Sequence, residues 1–250
     1  TYGGGVNFYS SNRLPFQKIQ HQINNPNSLV SNFTRSIAVD KNDNLWFGTK
    51  KGVSIWNTKK NEWKHISTSS KNKKQDIVLA LASDNDFMWV GTYNNGFYKI
   101  NINSYKSVNY NSNTDKSIVK KVYSIFEDNN NIWLGGIEGD LTVIRPNKKI
   151  DTYPINQIKF ITKSSSGNIL IAGKNGVYEI DDAKKEFKLI EKLKPNKNNL
   201  AYSTVNSICQ TNDDNLIIAT NGAGLVFYDY KNNSIRKLTV NSGMPSDIVQ

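Results

Sequence analysis

The sequence is poor in the residues that build most catalytic and metal centres. Its 250 residues include one cysteine, Cys209, and two histidines, His21 and His65. A single thiol makes no internal disulfide and no cysteine metal cluster, and the two histidines share no metal-ligand spacing. Six prolines and 16 glycines exclude collagen-like and proline-rich chains. No apolar run approaches the roughly 18 residues that mark a membrane-spanning helix. Motifs for phosphate cradling and for a serine nucleophile elbow are missing, and so are the alternating acids of a calcium loop. The triple glycine at 3–5 precedes no helical pattern and aligns with residues 222–224, so it reads as a turn.

Charge of one sign dominates what is present. There are 32 basic and 21 acidic residues, a net charge of +11, and this surplus suits a polyanionic partner. The positives are almost all lysine; only Arg13, Arg35, Arg145 and Arg236 carry the forked guanidinium that suits phosphate or sulfate. They are scattered, with no basic stripe interleaved with aromatics, so a solvated surface stands as the plain alternative and nucleic-acid binding is not expected. At 37% hydrophobic and 11% aromatic, the composition is that of a globular chain.

Self-similarity organises the chain. Residues 36–56 recur with variations at 80–100, 124–144, 166–180 and 207–228. The small residue closing the second apolar run falls at Gly48, Gly91, Gly135, Ala172 and Ala219, spaced by 43, 44, 37 and 47 residues. Short apolar runs separated by Asp/Asn/Gly clusters read as strands joined by hairpins, and a fourth strand follows in most copies. Four antiparallel strands repeated at a period of about 40–50 residues predict an all-β fold, a β-propeller. A partial blade is expected at 1–31, blades at 32–70, 71–115, 116–153, 154–192 and 200–240, and the opening of another at 244–250. Thr1 is no initiator and both ends fall inside repeats, so the expectation is a truncated part of a larger propeller.

Trp46, Trp89 and Trp133 occupy one place in successive copies, with Leu170 and Ile217 in the weaker ones. Recurrence mid-strand points to packing between blades rather than ligand stacking. Burying about 200 Å² of indole contributes up to roughly 5 kcal/mol. In a four-stranded meander the second turn lies at the opposite end from the first and third. The Asp/Asn hairpins are stereotyped, whereas the second turns and blade lead-ins vary, as binding loops on a rigid scaffold do. Candidate ligand residues there are Arg35, Lys51, Tyr93, Asn95, Lys121, Glu138, Lys174, Tyr202 and Asn221. Tyr93 or Tyr202 would stack on a sugar, and Arg35, Lys51, Lys121 and Lys174 would meet carboxylates or sulfates; plain solvated turns are the alternative.

The run Asp40-x-x-Asp-Asn-Leu-Trp-Phe-Gly-Thr-x-x-Gly52, echoed at Asn131-Ile-Trp-Leu-Gly135, resembles the two-component regulator propeller repeat. The segment 243–249 resembles the lead-in that often precedes it. The copies around Ala172 and Ala219 depart from the pattern by losing Trp and Gly. The resemblance implies the periplasmic sensor region of a Bacteroides-type hybrid two-component protein anchored in the inner membrane. Partners would be an oligosaccharide, the rest of the propeller and a β-sandwich of the parent chain, and a second copy in a homodimer. The histidine kinase and phosphorelay domains lie outside these residues, so the segment itself is expected to be noncatalytic, without cofactor or metal, and without membrane contact. Two readings stay open beside the sensor: a propeller enzyme of lyase or lactonase type, whose acidic pair would come from distant blades, and a protein–protein scaffold.

Overall fold

The computed structural model describes residues 6–8, 17–68, 76–111, 115–116, 118–197, 200 and 203–250. Among these there is no α-helix; the order is 22 strands with two short 3-10 turns. Strands β1 (Val6–Phe8) and β2 (Gln17–Ile19) form an antiparallel pair. Five four-stranded antiparallel sheets follow, each a simple meander, as the repeat predicts. The first has β3 (Thr34–Val39), β4 (Leu45–Thr49), β5 (Gly52–Asn57) and β6 (Glu62–Ile66). The second has β7 (Val78–Ser83), β8 (Phe87–Thr92), β9 (Phe97–Asn101) and β10 (Ser107–Tyr110). The third has β11 (Val122–Asp128), β12 (Asn131–Gly136), β13 (Leu141–Ile144) and β14 (Ile150–Tyr153). The fourth has β15 (Ile158–Lys163), β16 (Ile169–Gly173), β17 (Gly176–Asp181) and β18 (Glu186–Leu189). The fifth has β19 (Val205–Gln210), β20 (Leu216–Thr220), β21 (Leu225–Asp229) and β22 (Ser234–Leu238).

The chain divides into two compact units, residues 1–134 with 142–151 and residues 135–141 with 152–250. In the first unit Trp46, Val53 and Ile55 share a core with Val78, Met88, Val90, Tyr98 and Ile100, joining the first sheet to the second. Trp89 and Phe97 do the same toward Val122, Ile132 and Leu134 of the third. In the second unit Leu170, Ala172 and Val177 meet Val205, Ile208, Leu216, Ile218 and Tyr228. The first strands β3, β7 and β11 are neighbours in the first unit, and β15 and β19 in the second. That is the arrangement of consecutive propeller blades, each resting on the next through its inner strand.

The small residue ending each second strand has a steric cause. A Cβ at Gly91 would lie 2.8 Å from Val122 Cγ1 and 2.9 Å from the Val122 carbonyl oxygen, so the second sheet touches the entry to the third only without a side chain there. The second turns need a left-handed residue: Gly96 has φ 66°, and a Cβ would come within 2.3 Å of the Tyr110 carbonyl oxygen.

Trp46 is fully buried, Trp133 is 1% exposed, Trp89 6% and Leu170 0%. Ile217, expected to match them, is only half-buried, while its neighbours Leu216 and Ile218 point into the shared core. Cys209, which pairs opposite Ile217 on β19, is exposed. The last residues are tied to the second turn of the fifth sheet. The Asp247 carbonyl oxygen accepts from the Gly222 and Gly224 N–H groups, and the Val249 N–H donates to Thr220. The sequence Asp247-Ile-Val249 repeats Asp76-Ile-Val78, which leads into β7.

Candidate functional site

Lys51, Tyr93 and Asn95, like Glu138, Lys174 and Asn221, sit in turns between second and third strands. Arg35 is exposed on β3 where the pairing with β4 slips between Thr34 and Ser36, a bulge in the innermost strand of its sheet. The same slip recurs at Leu79, Lys159 and Asn206 in β7, β15 and β19, so bulging is part of the repeat and the side chain it presents varies. Tyr202 lies outside the described residues.

In the first unit the structure brings two of the candidates together. Lys121 Nζ stands 5.2 Å from the centroid of the Tyr93 ring, and Tyr123 meets Tyr93 edge-on at 6.5 Å. The Tyr93 turn is held firmly. Its N–H donates to the Ile77 carbonyl at 3.0 Å, and the Asn94 N–H donates to Asp76 Oδ2 at 2.8 Å. Asn95 is 8% exposed; its N–H donates to Thr92 Oγ1 and its carbonyl accepts from Asn109 Nδ2. It therefore builds the turn rather than offering itself to a ligand. A second cation–ring pair lies at the neighbouring turn, where Lys50 Nζ is 5.3 Å from the ring of the exposed Phe33. Lys51 is exposed beside it, with its N–H held by Thr49 Oγ1.

Tyr123 is a member that the sequence does not single out. Phe33 and Lys50 are variable positions at a lead-in and a second turn, the signal used for the others. Tyr123 gives no such signal, because it sits within a strand and reads as framework.

In the second unit Glu138, Lys174 and Asn221 are exposed. The Lys174 N–H donates to Gln157 and the Asn221 N–H to Thr204, so both turns are anchored by the lead-in of their own sheet, as the Tyr93 turn is. Among the described residues no group of three or more His, Cys, Asp or Glu is placed to hold a metal ion. In the first unit the turns and lead-ins thus set two ammonium groups over ring faces, Lys121 over Tyr93 and Lys50 over Phe33.

The fold and the repeat agree with known proteins. Residues 28–51 match the model of the two-component regulator propeller, so the chain carries that repeat in its first sheet and the approach to it. No curated protein matches the sequence significantly. Among solved structures it is similar to the extracellular domain of BT3049 from B. thetaiotaomicron, designated a hybrid two component system. The identity is 21%, the TM-score 0.77, and 94% of this chain and 32% of that one are covered. It is also similar to the extracellular domain of BT4673 from the same organism, designated a one component system, at 16% identity and TM-score 0.79, covering 98% and 32%. A third likeness is to PorZ, a surface component of the type-IX secretion system of Porphyromonas gingivalis, at 14% identity and TM-score 0.65, covering 86% and 35%. The molecule is thus an all-β segment of propeller blades. It spans about a third of the length of each of these chains.

Proposed function

We propose that the chain is the noncatalytic sensing segment of a periplasmic regulator, and that it detects an acidic oligosaccharide at the end of its sheets that carries the second turns. The Lys121–Tyr93–Tyr123 group carries this reading, because an ammonium beside a ring face is what an acidic sugar needs. The regulator propeller repeat and the likeness to extracellular domains of bacterial regulators support the sensor class. Binding would alter the geometry passed to a kinase elsewhere in the parent chain, anchored in the inner membrane.

Titration with a neutral and a sulfated oligosaccharide at low and high salt tests it. Exposed charges are screened beyond about 10 Å at 0.1 M salt, so the sulfated ligand should bind more tightly and weaken as salt rises. Tyr93→Ala should weaken both ligands, and Lys121→Ala the sulfated one alone. Binding of neither ligand, or equal binding by both variants, refutes the reading. The oligosaccharide should be recovered intact; cleavage would favour the enzyme.

A further inference from the structure

Where the first sheet carries its first and third turns, a polar cleft separates it from the third turn of the second sheet. The cleft lies wholly within the first unit. Two carboxamides form one wall. Leu45 pairs with Trp56 across β4 and β5, so Asn44 and Asn57 stand opposite each other one place further on. Side chains alternate along a strand, which puts both on the face of Trp46 and Ile55, the one that meets the second sheet. Asn44 Nδ2 donates to Asp40 Oδ2 at 2.9 Å, and Asn57 Oδ1 accepts from the Lys60 N–H at 2.9 Å. Those bonds fix which way each amide points. Asn44 Oδ1 and Asn57 Nδ2 are left over, an acceptor beside a donor, and neither has a partner among the described residues. The third sheet has Asn131 and Arg145 in these two places, and there Arg145 Nη1 donates to Asn131 Oδ1 at 3.3 Å.

The rest of the lining narrows what can enter. Asn44 is only 5% exposed, and the buried Ile55 and Ile102 give an apolar floor. The two walls are tied together: Lys41 Nζ bonds Asp86 Oδ1 at 2.6 Å, and Asn42 Nδ2 donates to Asn103 Oδ1 at 3.1 Å. Lys64 Nζ lies over the Tyr105 ring, 3.8 Å from its centroid. Lys60 and Glu62 are exposed at the rim and carry opposite charges. Trp63 stacks on Trp56, its cross-strand partner.

We propose that this cleft binds a neutral sugar through a vicinal pair of hydroxyls. One hydroxyl donates to Asn44 Oδ1, its neighbour accepts from Asn57 Nδ2, and the C–H face of the ring rests on Ile55 and Ile102. An anion would meet the Asn44 carbonyl oxygen and Glu62, and a cation the Asn57 N–H groups and Lys60. A trans peptide group directs its N–H and C=O to opposite sides, so it cannot serve a donor and an acceptor side by side on one wall. Adjacent hydroxyls can, because each both donates and accepts. The inference goes beyond the acidic-sugar reading. The cleft lies at the opposite end of the sheets from the Lys121–Tyr93–Tyr123 group and shares no residue with it. Its ligand carries no charge, so salt leaves its binding unchanged.

The probes are the methyl glycosides of glucose, galactose, mannose and xylose, titrated singly into the whole chain and followed by ligand-observed NMR. At least one should saturate a site in the millimolar range, equally at low and high salt. Its 3-deoxy counterpart has no vicinal ring hydroxyls and should bind about tenfold more weakly, as a lost hydrogen bond to a buried group predicts. Asn57→Asp keeps the oxygen that accepts from Lys60 and removes the amide donor, so it too should weaken binding about tenfold in a protein that still folds. Tyr93→Ala should leave this binding unchanged, which separates the cleft from the second-turn end. No saturation by any of the four up to about 50 mM overturns the proposal. So does a 3-deoxy glycoside that binds as well as its parent, or undiminished binding by folded Asn57→Asp. Loss in Tyr93→Ala but not in Asn57→Asp would assign the sugar to the second turns and overturn it as well.

Discussion

The indole Nε1 of Trp46 donates to Oδ2 of Asp40 at 2.8 Å, and that bond ties the hairpin at one end of the first sheet to the core. Asp40 is 3% exposed and saturated: Oδ1 accepts from the Asn42 and Asn44 N–H groups, and Oδ2 also from Asn44 Nδ2. Asp84 repeats the arrangement, with Oδ1 taking the Asp86 and Phe87 N–H groups and Oδ2 the Trp89 indole. One carboxylate thus shapes the turn and satisfies the polar edge of the largest core side chain. The tryptophan can then be buried between sheets without stranding its N–H.

Asp40→Ala should accordingly lower stability by about 1–3 kcal/mol, the cost of leaving buried donors unmet. Denaturant unfolding measures it. A loss comparable to that of an exposed acid such as Asp43, whose Lys59 pair is fully solvated, would show that the indole bond contributes nothing.

Much of the fold was legible because its signals are local. The Asp/Asn clusters need tight turns, the glycines at 52 and 96 need positive φ, and the tryptophans mark the face that meets the next sheet. The link from Asp40 to Trp46 is also written in the sequence, as an acid five or six residues before the indole at Asp40/Trp46 and Asp84/Trp89; Asp128 stands five before Trp133 as well, but no such bond to its indole forms there. Turn propensity alone does not reveal it, because the acid also satisfies the hairpin N–H groups. Ile217 was placed in a core by analogy, but burial there depends on a neighbour beyond the sheet, which no position within a repeat encodes. The same holds for the ring cluster: Tyr123 joins Tyr93 only because consecutive sheets put a first strand beside the previous sheet's second turn.

The edge of the third sheet should respond to acid. Arg145 Nε lies 2.8 Å from Asp151 Oδ2 and Lys149 Nζ 3.1 Å from Oδ1. The Arg145 hydrogen bond first, then that of Lys149, holds the Asp151 carboxyl below its ordinary value of 3.8. A carboxyl whose value falls on folding stabilises the native state above that ordinary value and loses the effect as pH drops through the lower native one. The stability difference between the native protein and Asp151→Asn should therefore be constant from neutral pH down to about 5 and shrink below 3.8. Melting curves across that range check it, and a difference that grows on acidification would contradict the assignment.

Tyr230 makes the opposite prediction at alkaline pH. Its ring packs on the core of the fourth and fifth sheets, 4.8 Å from Tyr228, and its buried hydroxyl has no hydrogen-bond partner among the described residues. Burial above all, then the charges of Glu179 and Tyr228, pushes its ionisation well above that of a free tyrosine. In the unfolded chain the phenol ionises near 10, so the native state binds a proton that the unfolded state has released. Stability from this residue is complete below about pH 10 and falls above it by up to about 1.4 kcal/mol per pH unit. Tyr230→Phe removes both the buried hydroxyl and this dependence. At neutral pH the variant should be as stable as the native protein or more so, because an unmet buried hydroxyl costs about 1–3 kcal/mol. Above pH 10 its advantage should widen, while Tyr98, Tyr105 and Tyr228, also raised by burial, continue to titrate equally in both proteins. A variant less stable at neutral pH, with parallel alkaline limbs, would mean that the hydroxyl finds a partner in solution.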